Sequence, residues 1–284
     1  MPDASIADQA WQMLVGESRR LALLAVLFSL LALAVKRRRL LADARRALPA
    51  VRLNLIYHLI DLAAVLPLMV LLVDLIDRAT TAGGLRLLNT ADFAVWPLWV
   101  AVLACVVVSD FIGYWRHRLL HLSALWPVHA IHHSDPAMTA TTLMRFHPLN
   151  RLATTAINAM ALSLVGFPPA VIAINGVIRT WYGFAVHADL PWTWGPLRRI
   201  LVSPVMHRWH HVRDMTGHGT NFATVFALWD VLFGTWRMPP TAMPPLGVRD
   251  AGFPATWLAQ TLWPFFVWRR RLVRKLHQGG RAPV

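Results

Sequence analysis

The sequence predicts an all-α integral membrane protein with about four transmembrane helices, two of them forming a hairpin, and a cytosolic helical cap rich in histidine. Three observations predict it. The chain is 56% hydrophobic and 15% charged over 284 residues, where a soluble domain carries about 25% charged residues. Apolar runs approaching or reaching the length of a span recur along it, with arginines beside them. Eleven of the thirteen histidines fall in two windows, 117–147 and 187–218.

Crossing the hydrocarbon core takes about 20 apolar residues in a helix. The first run, "LALLAVLFSLLALAV" (21–35), is short, so it draws on flanking residues or stays interfacial. It is preceded by twenty residues and followed by "KRRR" with no small-residue cleavage site, which favours a retained anchor over a signal peptide. The second span runs from about Leu53 to Ile76 and the third from Phe93 to Gly113. The fourth stretch, about 152–187, is long enough for two helices, and "GFPP" (166–169) breaks it into a hairpin. Near the end, "TWLAQTLWPFFVWRRR" (256–271) is short and interrupted by proline. Its aromatics followed by arginines fit a segment lying in the membrane interface.

Formal charge is +14, yet the arginines lie beside apolar runs, so orientation in a membrane explains them and nucleic acid is not expected as a partner. A loop from Lys36 to Arg52 holds Lys36, Arg37, Arg38, Arg39, Arg45, Arg46 and Arg52 and is expected to be cytoplasmic. Following the spans from there brings both histidine windows to the cytoplasmic face, a result reached without reference to histidine. In a bacterium this would be the inner membrane. The expected division is residues 1–100 as anchor helices, 101–240 as the histidine-bearing catalytic region, and 241–284 as an interfacial segment with a basic tail.

Cys105 is the only cysteine, which excludes an intrachain disulfide and a thiolate cluster. Glu17 is the only glutamate, so a carboxylate-bridged bundle with Glu-x-x-His pairs cannot be assembled. A metal centre must rest on histidine. "HRLLH" sets His117 and His121 one helical turn apart, and "HAIHH" and "HRWHH" repeat one rhythm with His129, His132, His133 and His207, His210, His211. Such a helix can offer one imidazole to one metal and its neighbour to a second. With His187, nine candidate nitrogen ligands exceed what one four-coordinate metal needs, so two metals are expected. Candidates to orient those rings are Asp135, Asp189, Asp214, His147, His218 and Asn221, because a carboxylate accepting the far N–H of a ligating imidazole fixes its tautomer.

The ordered segments "HRLLH", "HAIHHSD", "RFHPLN", "VHADL", "SPVMHRWHHVRD" and "NFATVFALWDVLFGTW" resemble the fatty acid hydroxylase / sterol desaturase superfamily across residues 100–240. The resemblance implies a non-haem centre of two irons on the cytosolic face that uses O2 to hydroxylate or desaturate a lipid, such as a sterol, fatty acyl chain or sphingoid base. It departs in three places. Asp189 stands where asparagine is frequent, Ala223 follows "NF" in place of glycine, and Asn150 follows "HPL" in place of glutamate. Electrons are expected from a separate reductase, since no dinucleotide fingerprint is present. Arg116, Arg118, Arg198, Arg199 and Arg208 form a candidate docking face for an acidic carrier. Zinc is expected to compete with iron during purification. The alternatives at this stage are a divalent-metal transporter, whose sites lie near the bilayer midplane, and a zinc hydrolase, which needs a base such as the Glu of H-E-x-x-H.

Overall fold

The computed structural model describes residues 6–213, 219–239, 243–249 and 252–279. Asp214 and His218 lie outside the described residues. Among the described residues every regular element is helical, with one isolated antiparallel bridge between Val212 and Leu246. The all-α expectation therefore holds at the level of secondary structure.

Two compact units divide the chain, residues 1–46 and 47–284. The first contains α1 (Ile6–Lys36), a 3-10 turn (Arg37–Arg39) and the opening turns of α2 (Leu40–Ile60). The expected loop from Lys36 to Arg52 is thus mostly helix. Leucine, alanine and arginine are strong helix formers, and Asp43 near the start of α2 pairs with Lys36 at 3.0 Å and Arg46 at 2.8 Å.

In the second unit, α2 passes through a π turn (Asp61–Val65) into α3 (Leu66–Ala82), followed by α4 (Leu98–Leu120) and α5 (Trp126–His133). Then come α6 (Pro148–Val165), α7 (Pro169–His187), α8 (Pro204–His210), α9 (Leu228–Leu232) and α10 (Trp257–Gly279). Among the described residues, two helical stretches are long and apolar enough to cross a membrane, Leu40–Ala82 and Leu98–Leu120. Proline opens α6, α7 and α8 in the first turn, where its missing N–H costs nothing. The expected hairpin is present as α6 and α7, broken at Gly166. That residue caps α6 with φ 89°, and a Cβ on it would lie 1.8 Å from the Leu88 carbonyl oxygen, so only glycine fits. The aromatic segment near the end runs further than expected. Pro264 sits inside α10 without ending it, and the basic tail is helical to Gly279.

Packing sets α3 along α6, α4 against α6 and α7, α7 against α8, and α10 against α5. The helical stretch from residue 47 to 82 therefore shares a compact unit with the histidine-bearing region. Large apolar side chains such as Leu71, Leu75, Trp99, Leu103 and Val177 face outward, whereas polar pairs lie between helices. Asn175 donates to Ser109 at 3.0 Å, Arg151 pairs with Asp61 at 2.6 Å, and Arg179 pairs with Asp110 at 2.8 Å. Apolar outside and polar pairing inside is the arrangement a lipid solvent favours.

Candidate metal centre

Two of the histidine helices, α5 and α8, are short, and each histidine helix ends where it is needed. Ser203 caps α8, its hydroxyl accepting from the Met206 N–H at 3.2 Å, and the i, i+3, i+4 spacing then turns His207, His210 and His211 inward. Helix α4 extends past the expected end at Gly113 to Leu120, which carries His117 to its last turn. His187 closes α7.

All nine candidate ligands converge in two groups. His117, His121, His129, His133 and His210 form one, and His132, His187, His207 and His211 the other; within each, the ligand nitrogens lie within 4.8 Å of one another. Each adjacent pair splits between them. His132 joins the four-histidine group and His133 the five-histidine group, while His211 and His210 divide the same way. The groups abut where His133 stacks on His211 at 4.2 Å. All of these rings except His121 are buried.

Within each group the Nε2 atoms face one another. In the larger group His210 and His117 approach to 3.0 Å and His133 and His129 to 3.2 Å. In the smaller group the separations are 3.1 Å for His187 and His132, 3.0 Å for His207 and His187, and 3.3 Å for His211 and His207. Metal–nitrogen bonds of about 2.1 Å place neighbouring ligands about 3.0–3.4 Å apart for octahedral to tetrahedral angles.

The far side of the rings decides what lies between them. His117 Nδ1 meets the Phe222 carbonyl and His210 Nδ1 the Thr220 carbonyl, each at 2.7 Å. His187 Nδ1 meets the Gly183 carbonyl at 2.7 Å, and His132 Nδ1 the Arg145 carbonyl at 3.3 Å. A carbonyl only accepts, so each of these Nδ1 atoms carries the proton and each Nε2 presents a lone pair. His117 and His210, and likewise His132 and His187, therefore turn lone pairs toward one another across about 3 Å. Burial drives the pKa of His129, His132, His133, His207 and His211 well below the usual histidine range, so an added proton on His132 does not bridge it to His187. A cation between the lone pairs does. The donor set fits a divalent metal in each group.

The backing carbonyls belong to one clamped loop in the larger group. Asn221 sits between Thr220 and Phe222 in the left-handed region, φ 59°. Its side chain donates to the carbonyls of Met206 at 3.0 Å and Arg237 at 2.8 Å and accepts from the Arg237 N–H at 2.8 Å. Asn221 thus acts on the rings through the two carbonyls beside it. Asp230 accepts from the Phe222 and Ala223 N–H groups and the Thr235 hydroxyl, at 2.7–3.0 Å. Burial pushes its carboxyl up to about 6 against those donors. Asp110 accepts from the Val225 and Phe226 N–H groups and from Thr224 and Arg179. A Cβ at Gly113 would meet Arg179 Nη2 at 2.9 Å, so glycine lets that guanidinium reach Asp110.

Three residues proposed from sequence to orient the rings are engaged elsewhere. Asp135 accepts from the Ala137 and Met138 N–H groups, Asn54 and Thr142; an aspartate just past a helix end readily folds back on its own turn. Burial opposes its charge, but Arg145 and these donors hold its carboxyl below the usual range. Asp189 pairs with Arg208 at 2.5 Å. His147 caps α6, Nδ1 accepting from the Leu149 N–H at 3.0 Å and Nε2 donating to the Thr261 carbonyl at 2.9 Å. Arg208 also donates to the Met138 carbonyl, and Arg116 to Thr154 inside the bundle, so neither serves as a free docking charge.

Sequence reasoning passed over Asp230, Arg145 and Phe146. Phe146 stacks flat on His132 at 4.3 Å, with the Arg151 guanidinium 5.0 Å from the centre of its ring. Arg145 is buried and donates to Asn54 at 2.6 Å and Ser134 at 3.0 Å, while its carbonyl backs His132. The signal for Arg145 and Phe146 was position alone, beside His147 in "RFHPLN".

Residues 102–235 match the family model described as fatty acid hydroxylase. The ornithine lipid hydroxylase OlsE of Rhizobium tropici is 34% identical over 146 residues, covering 51% of this chain and 44% of that protein. The alkylglycerol monooxygenase of Danio rerio is 30% identical over 179 residues, covering 62% of this chain and 39% of its own, and the Homo sapiens protein of that name is 34% identical over 153 residues, covering 54% and 33%. The chain thus spans less than half the length of these relatives. No solved structure matches it. Residues 102–235, which hold all nine clustered histidines, are thus the part of the chain that is similar to the fatty acid hydroxylase family.

Proposed function

We propose that this protein is an O2-dependent non-haem di-iron oxidoreductase that hydroxylates an unactivated C–H bond of a membrane lipid, drawing electrons from a separate reductase. The opposed Nε2 lone pairs of His117 with His210 and His132 with His187 carry the metal reading. Two ferrous ions in the five- and four-histidine groups would supply the reduction of O2 and the oxidation of the C–H bond. The balance is RH + O2 + two electrons + two protons giving ROH and water. The names of the two kinds of relative, a lipid hydroxylase and a monooxygenase, support hydroxylation over desaturation.

The chain's own residues set the conditions. The carbonyls of Phe222, Thr220, Gly183 and Arg145 hold a proton on Nδ1 of four rings and keep Nε2 free. Asp110 and Asp230 fix the loop that presents two of those carbonyls. Burial of the rings excludes water, which strengthens the field inside. Apolar surfaces on the helices suit an integral membrane setting. The arginine-rich stretch from Lys36 to Arg52 supports a cytoplasmic centre, where a lipid head rests at the interface and its chain reaches the histidines.

The test is anaerobic loading with ferrous iron, then O2, a reductant system and a lipid extract. Oxygen consumption with a lipid product heavier by one oxygen atom is expected. Loaded protein that consumes no O2 and yields no oxidised lipid overturns the assignment, and a product lacking two hydrogens replaces hydroxylation with desaturation.

A further inference from the structure

His129 is backed differently from the four rings that face carbonyls. Its Nδ1 lies 3.3 Å from Asn150 Nδ2, Thr154 Oγ1 donates to Asn150 Oδ1 at 3.3 Å, and Arg116 Nη1 donates to Thr154 Oγ1 at 2.9 Å. A carbonyl can only accept, but a carboxamide has a donor end and an acceptor end. With Nδ2 toward the ring, His129 Nδ1 accepts, so the ring proton sits on Nε2 and points at His133 Nε2, 3.2 Å away. In that state His129 has no lone pair for a metal. A half-turn about the Asn150 Cβ–Cγ bond brings Oδ1 to Nδ1. The ring proton then sits on Nδ1 and the Nε2 lone pair is released toward the group. The ring gains and loses no net proton, since one leaves Nε2 as one arrives at Nδ1. The Thr154 hydroxyl both donates and accepts, so it follows either orientation. Neither state leaves the buried amide unpaired, which removes the usual cost of such a turn.

We propose that His129 is the exchangeable ligand of the five-histidine group, joined or released according to which end of the Asn150 amide faces it. The inference rests on the di-metal reading. Asn150, steadied by Thr154 and Arg116, is a positioning residue, and the larger group presents four or five nitrogens while the smaller presents a constant four.

The test uses full-length protein loaded with Co(II) and equilibrated against a graded chelator, with the occupancy of each group read separately by anomalous diffraction at the cobalt edge. H129Q is expected to weaken the five-histidine group no more than about tenfold and H133Q about a hundredfold or more. N150D, whose carboxylate only accepts, is expected to bind about tenfold tighter than the natural chain, and N150L about tenfold weaker. Occupancy of the four-histidine group stays unchanged in every variant and reports that each is folded. Ring-nitrogen NMR of the metal-free protein should show His129 protonated on Nε2 in the natural chain and on Nδ1 in N150D. Equal losses for H129Q and H133Q, or N150D no tighter than the natural chain, overturn the inference while leaving the metal reading intact. Absence of cobalt from both groups in the natural chain overturns the metal reading and this inference with it.

Discussion

The five-histidine and four-histidine groups share their adjacent-histidine pairs but not their supports. Two rings of the larger group, His117 and His210, lean on carbonyls of a single loop, and a third, His129, on a side-chain amide. In the smaller group His187 leans on a carbonyl of its own helix, and His132 on Arg145 while stacked against Phe146. One site is therefore only as rigid as a loop clamped by Asp110 and Asp230, and the other as rigid as α7 and the segment behind α5. The chain has built two similar ligand sets by two routes, so they should fail independently.

The largest expected effect separates the groups outright. H210Q should retain metal in the four-histidine group and lose it from the larger one, and H211Q the reverse, with activity abolished in both; iron analysis reads about one ion per chain in each case. Two ions retained by either variant would show that these rings are not ligands.

Acid should act on both groups together. For the five histidines whose pKa is driven down by burial, the folded metal-free chain resists protons that the unfolded chain takes up near pH 6.5. The depressed folded pKa makes stability full above about pH 6.5 and lost as pH falls below it, by about 1.4 kcal/mol per pH unit for each such ring. Thermal unfolding of the detergent-solubilised metal-free protein between about pH 5.5 and pH 8 checks it; a flat profile contradicts it.

Removing a support should weaken one group and spare the other. D230A releases the Phe222 and Ala223 N–H groups and is expected to cost the larger group about ten- to a hundredfold in metal affinity. N54A removes one acceptor of the Arg145 guanidinium and a donor to Asp135, so its effect should fall on the smaller group through His132, with about 1–3 kcal/mol of lost stability. Equal effects on both groups would dissolve the contrast.

The smallest effect is expected at Asp189. Its pair with Arg208 is partly exposed, with 44% of the aspartate side chain accessible, and such pairs contribute about 0–1 kcal/mol. D189N should leave the melting temperature and the metal content of both groups nearly unchanged.

What could be read from the sequence was local. The i, i+3, i+4 rhythm of "HAIHH" and "HRWHH" survives in space because a single helical turn fixes it, and Gly166 with the prolines after it breaks the hairpin where expected. What could not be read was long-range. The Phe222 carbonyl that backs His117 comes from 105 positions away, and a backbone carbonyl leaves no mark in a one-letter code. Aspartates near histidines were the natural guess for that task, yet Asp135 spends one oxygen on its own turn and the other on Asn54 and Thr142. Neutral carbonyls do the work without burying a further charge, which is the less costly solution in an apolar setting. The arginine-rich stretch carries the charge of a loop but is built of alanine, leucine and arginine, which are strong helix formers, and it is helical.

The most direct test is a structure of the anaerobically iron-loaded protein with anomalous signal collected at the iron edge. The account predicts two peaks, one enclosed by His117, His121, His133 and His210 and the other by His132, His187, His207 and His211, each about 2.1 Å from its Nε2 donors. A single peak shared by both groups, or iron bound away from these rings, would contradict it.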